Sequence, residues 1–241
     1  MFIALLLCGW IASSDANAED KKGNSKKAPA AVVSEQVAPG SHFEQQLARL
    51  NAQTVYSKDC FDFAICGDTQ FGETFQYTPE TYQIIKDWNI WRPTLAFDMG
   101  DLIFGGSAEG VPQQWDIYDK TWAPLQVPYF TLPGGHDISD KPTEDLYIKR
   151  VVPIYYRLSY GNCDFITLDT EENGQAPGIL SDKQINWLKK TLSESKAANI
   201  FIMMHQPIFD PEMYKDSSLI KISEIIKTYP VKAVLAGHKH Y

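Results

Sequence analysis

The chain has 241 residues, the length of one large domain or two small ones, and 44% of them are hydrophobic, enough for a sizeable core. Its formal net charge is −8, which excludes a non-specific electrostatic grip on nucleic acid or on an anionic membrane. A small anionic substrate would therefore need a local positive centre, such as a metal ion, to offset the repulsion.

The first residues predict an export signal. An apolar stretch over residues 2–12 is shorter than the roughly 20 residues of a membrane-spanning helix and is followed by an A-x-A cleavage pattern ending at Ala18. We interpret residues 1–18 as a signal peptide and expect a secreted or periplasmic protein with no transmembrane span after cleavage. No basic residue precedes the apolar stretch, which also fits a mis-assigned start codon. Cys8 suggests a lipoprotein alternative, which Leu7 disfavours because such sites want a small residue before the cysteine.

The next segment, residues 19–40, predicts a flexible linker. It is charged, rich in Pro, Gly and Ala, and lacks apolar periodicity. The folded domain is expected over residues 41–241. It begins with a capping box of Ser41 and Glu44, which starts a short amphipathic helix.

Strand and helix patterns alternate from there to the end of the chain. Runs rich in β-branched and aromatic residues predict strands at 61–66, 94–98, 128–132, 163–168, 199–204 and 231–235. Helical patterns begin at Thr78 and Ser181, and a third spans about 217–228. This alternation predicts an α/β fold with a mainly parallel sheet, in which functional residues gather beyond the carboxyl ends of the strands.

Polar residues follow five of the predicted strands directly. They are Asp68 and Gln70, Asp101, His136 and Asp137, His205, and finally His238 and His240. Taken singly, an Asp after a strand is most often a turn or cap residue, and a lone His is more often structural than a ligand. Their joint placement at the carboxyl ends of the predicted strands indicates a metal site instead. Oxygen and imidazole ligands without thiolate suit Mn, Fe or Zn, and one carboxylate can bridge two metals about 3.5–4 Å apart.

The order of these motifs resembles the calcineurin-like metallophosphoesterase family. The motifs G-D-x-Q, G-D, G-x-H-D, H and G-H-x-H run in that order through residues 61–240. "GDTQFG", "FDMGDLIFGG", "GGHDIS" and "GILSDKQINWLKK" are most similar to a secreted branch of the family that carries Gln in the first motif. The resemblance implies a two-sheet α/β/β/α sandwich. Because G-H-x-H ends the chain, we expect that sandwich to lack C-terminal edge strands and the chain to be truncated or minimal.

The resemblance also implies a role for each motif residue. Asp68, Gln70 and His240 would hold the first metal, Asp101 would bridge, His205 and His238 would hold the second, and His136 would assist the leaving group with Asp137 orienting it. The cofactors implied are two divalent ions, Mn, Fe or Zn, and the nucleophile is a hydroxide activated between them.

Two positions depart from the family pattern. Gln70 stands where the family usually has His, and an amide oxygen is a weaker and harder ligand that favours Mn or Mg. Gly135 stands where the family has an Asn that ligates the second metal, and glycine supplies no ligand. Water could fill that place, a nearby side chain could substitute, or the second site is weak. We expect a weaker second site, whose affinity Gly135→Asn would raise.

The function expected from this reading is metal-dependent hydrolysis of a phosphoester, with a phosphomonoester favoured. The substrate would be a phosphorylated small molecule or a phosphoprotein, and no nucleic-acid scaffold is expected. The alternative is a non-catalytic module that binds metal or a phosphorylated ligand on the same scaffold. A third reading is a structural α/β protein with capping Asp and buried His, which would bind no metal. Neither the substrate nor the oligomeric state is encoded in the motifs.

Overall fold

The computed structural model describes residues 30–33, 39–53, 60–72, 79–151, 153–174, 180–207 and 218–240. Eight strands lie in these ranges: β1 Ala31–Val33, β2 Phe63–Cys66, β3 Leu95–Asp98, β4 Tyr129–Thr131, β5 Tyr156–Tyr160, β6 Cys163–Thr167, β7 Asn199–Met204 and β8 Val231–Ala236. Six α-helices accompany them: α1 His42–Ala52, α2 Pro79–Trp91, α3 Val111–Trp122, α4 Lys141–Arg150, α5 Asp182–Glu194 and α6 Ser218–Ile226.

The strands form two sheets. A three-stranded parallel sheet has the order β2-β3-β4, and a five-stranded sheet has the order β1-β5-β6-β7-β8. In the larger sheet β5 pairs antiparallel with both β1 and β6, while β6, β7 and β8 run parallel. The predicted parallel arrangement therefore holds for one sheet and for half of the other.

Three layers of apolar side chains hold the sheets and helices together. Between the sheets lies an aromatic cluster that includes Phe97, Phe130 and Phe165. The outer face of the smaller sheet packs on α2, α3 and α4, and the outer face of the larger sheet packs on α5 and α6. The core is thus an α/β/β/α sandwich, as predicted. Strand β3 is buried along its whole length, as expected of a central parallel strand covered on both faces.

Several elements were not predicted from the sequence. Ala31–Val33 pairs with β5, so the prediction of a flexible linker over 19–40 is wrong for these three residues. Strands β5 and β6 form a hairpin with Gly161 and Asn162 at its turn. Gly-Asn is a common turn dipeptide, so the hairpin could have been predicted from it. Helices α3 and α4 were also missed. The predicted signal peptide, residues 1–18, and the linker residues 19–29 and 34–38 lie outside the described ranges.

Two further observations concern the described ranges. The predicted cap of α1 is confirmed, because the Ser41 hydroxyl accepts a hydrogen bond from the Glu44 backbone N–H. Within these residues, none of the helices combines the length and the apolar character needed to cross a bilayer.

We expect His42 to make the stability of the fold depend on pH. It lies at the start of α1 with its ring edge-on to Tyr129, and burial lowers its pKa from 6.5 to about 4. The unfolded chain therefore takes up a proton near pH 6.5, but the folded chain only near pH 4. We expect the unfolding free energy to lose roughly 3 kcal/mol from this residue as the pH falls through that window. Urea denaturation at several pH values, compared with His42→Gln, measures the difference, and identical pH profiles would contradict it.

Candidate metal centre

The predicted site residues lie on loops that follow strands β2, β3, β4, β7 and β8. The loops meet at the carboxyl-end rim of both sheets, where ligands bind in open α/β sheets. Contacts between the loops join the two sheets at this rim. The His205 ring Nδ1 lies 2.9 Å from the Met99 carbonyl oxygen, and the His238 backbone N–H donates to Asp68 Oδ1 at 2.9 Å.

Five of the six predicted ligands form two overlapping groups. Asp68, Asp101 and His240 make one group, and Asp101, His205 and His238 make the other, with the potential ligand atoms of each group within 4.8 Å of one another. Asp101 belongs to both groups, as a bridging carboxylate must. The grouping agrees with the one that the family resemblance implies, while ligation itself stays a prediction.

The charged contacts within the groups are close. His205 Nε2 lies 3.1 Å from Asp101 Oδ2, and His240 Nε2 lies 3.1 Å from Asp68 Oδ1. The amide of Gln70, the sixth predicted ligand, is adjacent, with Nε2 3.5 Å from Asp101 Oδ2. Rotating this amide by half a turn would present its oxygen at the same place.

His205 shows whether the residues present suit a metal. Its Nε2 is fully buried and makes no hydrogen bond, although it lies 3.1 Å from the Asp101 carboxylate. Burial lowers the pKa of this imidazole, but the Asp101 carboxylate beside it outweighs burial and raises the pKa to about 9. A cation between His205 and Asp101 would satisfy both groups, and the Met99 carbonyl would hold the ring in the tautomer that ligates through Nε2. The donor set therefore fits a divalent metal.

The backbone of the rim is unusual at the predicted ligands. A left-handed conformation is uncommon for any residue other than glycine. Among the described residues six non-glycine residues have positive φ, and five of them are predicted ligands: Asp68, Gln70, Asp101, His238 and His240. Each costs about 1 kcal/mol or more, and such residues cluster at functional sites. The strain indicates that the loops are shaped to aim these side chains.

Two glycines make room for the carboxylates. A Cβ atom on Gly237 would lie 2.9 Å from Asp68 Oδ2, and a Cβ atom on Gly134 would lie 2.3 Å from both the Asp101 backbone nitrogen and Oδ1. Any side chain at either position would displace a predicted metal ligand.

Gly134→Ala is therefore expected to destabilise the fold and disturb the site. Forcing a methyl group against Asp101 should lower the unfolding free energy by about 1–3 kcal/mol and reduce the bound metal. Gly135→Ala is the matched control, because the atom nearest to its Cβ would be Glu171 Oε2 at 3.4 Å, an ordinary van der Waals contact. Urea denaturation with metal analysis checks both variants. Equal effects at the two glycines would refute the steric argument.

The structure corrects one predicted role. Asp137 was expected to orient the His136 ring, but its buried carboxylate accepts hydrogen bonds from the backbone N–H groups of Leu102 and Ile103, and from that of Gly134. The His136 ring instead contacts the Phe104 carbonyl through Nδ1 at 2.5 Å. Asp137 thus holds the loop after Asp101, because a short carboxylate reaches the adjacent backbone more readily than the neighbouring ring.

His136 lies beside the bridging carboxylate. Its backbone N–H donates to Asp101 Oδ1 at 2.9 Å. Among the aromatic residues near the motifs, Phe71 and Trp115 are buried in the core, whereas Phe104 is 50% exposed with its ring centroid 5.6 Å from that of His136. Phe104 is therefore an aromatic surface next to the predicted leaving-group position.

One residue near the centre was missed from the sequence. Glu171 follows β6, is 2% exposed, and lies beside Gly135. Burial raises the pKa of its carboxyl group to about 7, partly offset by a hydrogen bond from Gln206 and by the charge of His205. The rule that singled out the other site residues, a polar residue directly after a strand, would have found it.

Comparison with known proteins agrees with this geometry. The sequence profile of the calcineurin-like phosphoesterases matches residues 61–241. The chain is similar to a probable cyclic nucleotide phosphodiesterase of Moraxella catarrhalis, with 26% identity over 74% of the chain and 69% of that relative. It is 30% identical to a 3′,5′-cyclic adenosine monophosphate phosphodiesterase of Vibrio vulnificus over 49% of the chain and 45% of the relative.

Further similarities extend this picture. A probable glycerophosphodiester phosphodiesterase of Arcobacter nitrofigilis is 26% identical over 48% of the chain and 42% of the relative. The chain thus spans less than half the length of two of these three relatives.

A solved structure shares the fold. A dimetal phosphatase from Danio rerio superposes with a TM-score of 0.58 at 16% identity, covering 75% of this chain and 82% of that one. The predicted secreted branch stays a prediction. The profile match covers most of the chain, including every predicted ligand, and the protein therefore belongs to the calcineurin-like phosphoesterase family.

Proposed function

We propose that the protein hydrolyses phosphomonoesters at a centre of two divalent metals. The observation that carries the proposal is the shared carboxylate: Asp101 belongs to both groups of potential ligands, so two ions can be held close together. When bound, such a pair would lower the pKa of a water molecule and stabilise the attacking and leaving oxygens of the ester. The residues that would hold it are Asp68, Gln70, Asp101, His205, His238 and His240.

The part proposed for His136 follows from its contacts. Its backbone N–H is anchored on Asp101 and its ring Nδ1 on the Phe104 carbonyl. With Nδ1 engaged as a donor, Nε2 is the ring atom left to serve the leaving group. A protonated ring would donate from Nε2 to the departing oxygen, as a general acid does. No side-chain nucleophile is required, so no covalent phosphoenzyme is expected.

A cyclic or open phosphodiester is the second candidate substrate. The similar proteins of Moraxella catarrhalis and Vibrio vulnificus are named as cyclic nucleotide phosphodiesterases. The exposed ring of Phe104 beside His136 is consistent with it, because the nucleobase of a cyclic nucleotide could stack there while a ribose oxygen departs. The preference for a monoester therefore needs a direct comparison.

A substrate panel with Mn²⁺-loaded protein makes that comparison. We expect p-nitrophenyl phosphate to be hydrolysed faster than bis-p-nitrophenyl phosphate or cyclic AMP. Faster hydrolysis of either diester would favour phosphodiesterase activity, the second candidate, over phosphomonoesterase activity. A protein that binds Mn²⁺ but hydrolyses none of them would favour the non-catalytic binding module. The same panel should include a phosphopeptide, since a phosphoprotein is one of the substrates proposed.

We also propose that this activity is extracytoplasmic. The support is the predicted signal peptide at residues 1–18, with its cleavage pattern at Ala18. Fractionation of cells expressing the full chain, with N-terminal sequencing of the mature protein, tests the proposal. An uncleaved protein in the cytoplasmic fraction would contradict it.

A further inference from the structure

We propose that Glu171 supplies the second metal with the side-chain ligand that Gly135 cannot provide. This inference rests on the proposed dinuclear function, because it names a further ligand of the same centre. The second group of potential ligands, Asp101, His205 and His238, offers three atoms. A fourth protein ligand would strengthen this site, and a six-coordinate ion such as Mn²⁺ would still have positions left for water and substrate.

The first observation is the position of the carboxylate relative to Gly135. A Cβ atom built on Gly135 would lie 3.4 Å from Glu171 Oε2 and 3.7 Å from Glu171 Cδ. A longer side chain at position 135 would extend into the space that this carboxylate occupies. Nor is glycine required there by the backbone, because Gly135 is not among the residues with positive φ. The Glu171 carboxylate therefore lies where a side chain at position 135 would extend.

The second observation is the bonding of the carboxylate. Oε1 accepts hydrogen bonds from Gln206 Nε2 at 2.7 Å and from the Thr170 hydroxyl at 3.2 Å. Oε2 accepts none from the described part of the chain. One oxygen is thus anchored and the other is open, which is how a supported carboxylate presents itself to a metal.

The third observation concerns charge. Glu171 is 2% exposed, and no Lys or Arg of the described ranges forms an ion pair with it. Burying an unpaired carboxylate is costly, and a metal cation is one of the few partners that offset the cost. The charges of His205 and Asp101, two members of the second group, both act on the Glu171 carboxyl group.

Glu171 is not itself within the three-atom group. Oε2, the oxygen without a hydrogen bond, must therefore move closer to that group when the second metal binds. Oε1 is held by Gln206 and Thr170, so Oε2 is the oxygen that would bind the metal.

Titration with Mn²⁺ followed by calorimetry tests the inference. The wild-type protein is expected to bind two Mn²⁺ per chain. Glu171→Gln keeps the size of the side chain and an acceptor oxygen for Gln206, but removes the charge. It should weaken one of the two sites by about 10- to 100-fold and leave the other unchanged. Metal analysis after dialysis should then find one Mn²⁺ per chain.

Two further variants make the result specific. Glu172→Gln removes the neighbouring charge, which instead holds the start of α5 through Ser181 and Gln184, and should retain both Mn²⁺. Gly135→Asn combined with Glu171→Gln should restore the second Mn²⁺, which a misfolded protein could not do.

The outcomes separate the two proposals. Two Mn²⁺ bound by Glu171→Gln at wild-type affinity would overturn the role of Glu171 alone, as would equal losses in Glu171→Gln and Glu172→Gln. A wild-type protein that binds fewer than two Mn²⁺ would overturn the dinuclear function and the role of Glu171 together.

Discussion

Replacing Asp101 with asparagine is expected to remove both metal ions and to lower phosphoester hydrolysis by about 1,000-fold or more. Asp101 is the one carboxylate that belongs to both groups of potential ligands, so its loss weakens both sites at once. The loss of a single transition-state stabilising group costs about 100- to 1,000-fold, and here a whole centre is lost. Asparagine keeps the acceptor for the His136 N–H, so the loop should survive the change. Metal analysis and initial rates with p-nitrophenyl phosphate measure the two effects.

Asp98→Asn is the matched control for this experiment. Asp98 is buried at the end of the same strand, but it belongs to neither group of potential ligands. Burial, with the charges of Asp137 and Asp68, raises its pKa well above the usual value, and an amide matches its carboxyl group in size and shape. The variant should keep two metals and most of its activity. If Asp101→Asn retained two metals and full activity, the bridging role would be wrong.

The second large effect is expected at His136, and it should separate chemistry from metal binding. His136→Ala removes the ring that lies beside Asp101 but leaves every potential ligand in place. Activity should fall by about 100- to 10,000-fold, the range for a general acid, while the metal content stays at the wild-type value. The loss should be smaller for p-nitrophenyl phosphate than for an alkyl phosphate, because a nitrophenolate leaves without needing a proton.

A leaving-group series therefore decides the role of His136. Rates of wild-type and variant protein are compared across aryl and alkyl phosphates of increasing leaving-group pKa. If the ratio of the wild-type rate to the variant rate grows with the pKa of the leaving group, His136 is a proton donor. A constant ratio would assign His136 to charge stabilisation. If the variant also lost metal, His136 would act in metal binding and not as the general acid. Phe104→Leu offers a comparison at the same rim, since it keeps the backbone carbonyl that contacts the ring.

The meeting of distant residues at the rim could be predicted because it follows from strand direction. Asp68 and His238 are 170 residues apart, yet each directly follows a parallel strand, and such strands end on one edge. The runs of β-branched residues before each motif located the strand ends well. The bridging position of Asp101 came from the family pattern and agrees with its place in both groups.

Other features depend on contacts that no periodicity encodes. The pairing of Ala31–Val33 with β5 joins residues more than a hundred positions apart, inside a segment whose composition is that of a linker. The partner of Asp137 is decided by the path of the loop after Asp101, which the sequence does not specify. Gly135 and Glu171 lie on loops from two different sheets. The position of Glu171 after a strand could have marked it as a site residue, but its place beside Gly135 could not be predicted.

The left-handed backbone at five potential ligands ties metal supply to folding. At about 1 kcal/mol or more each, these residues together cost about 5 kcal/mol, a large share of the 5–15 kcal/mol that stabilises a typical domain. Ions that bind only the folded chain return stability in proportion to the logarithm of their concentration. Where divalent metals are scarce, the loops that carry the predicted ligands would therefore be less stable. The concentration of metal would then set the resistance of the protein to proteolysis as well as its rate of hydrolysis.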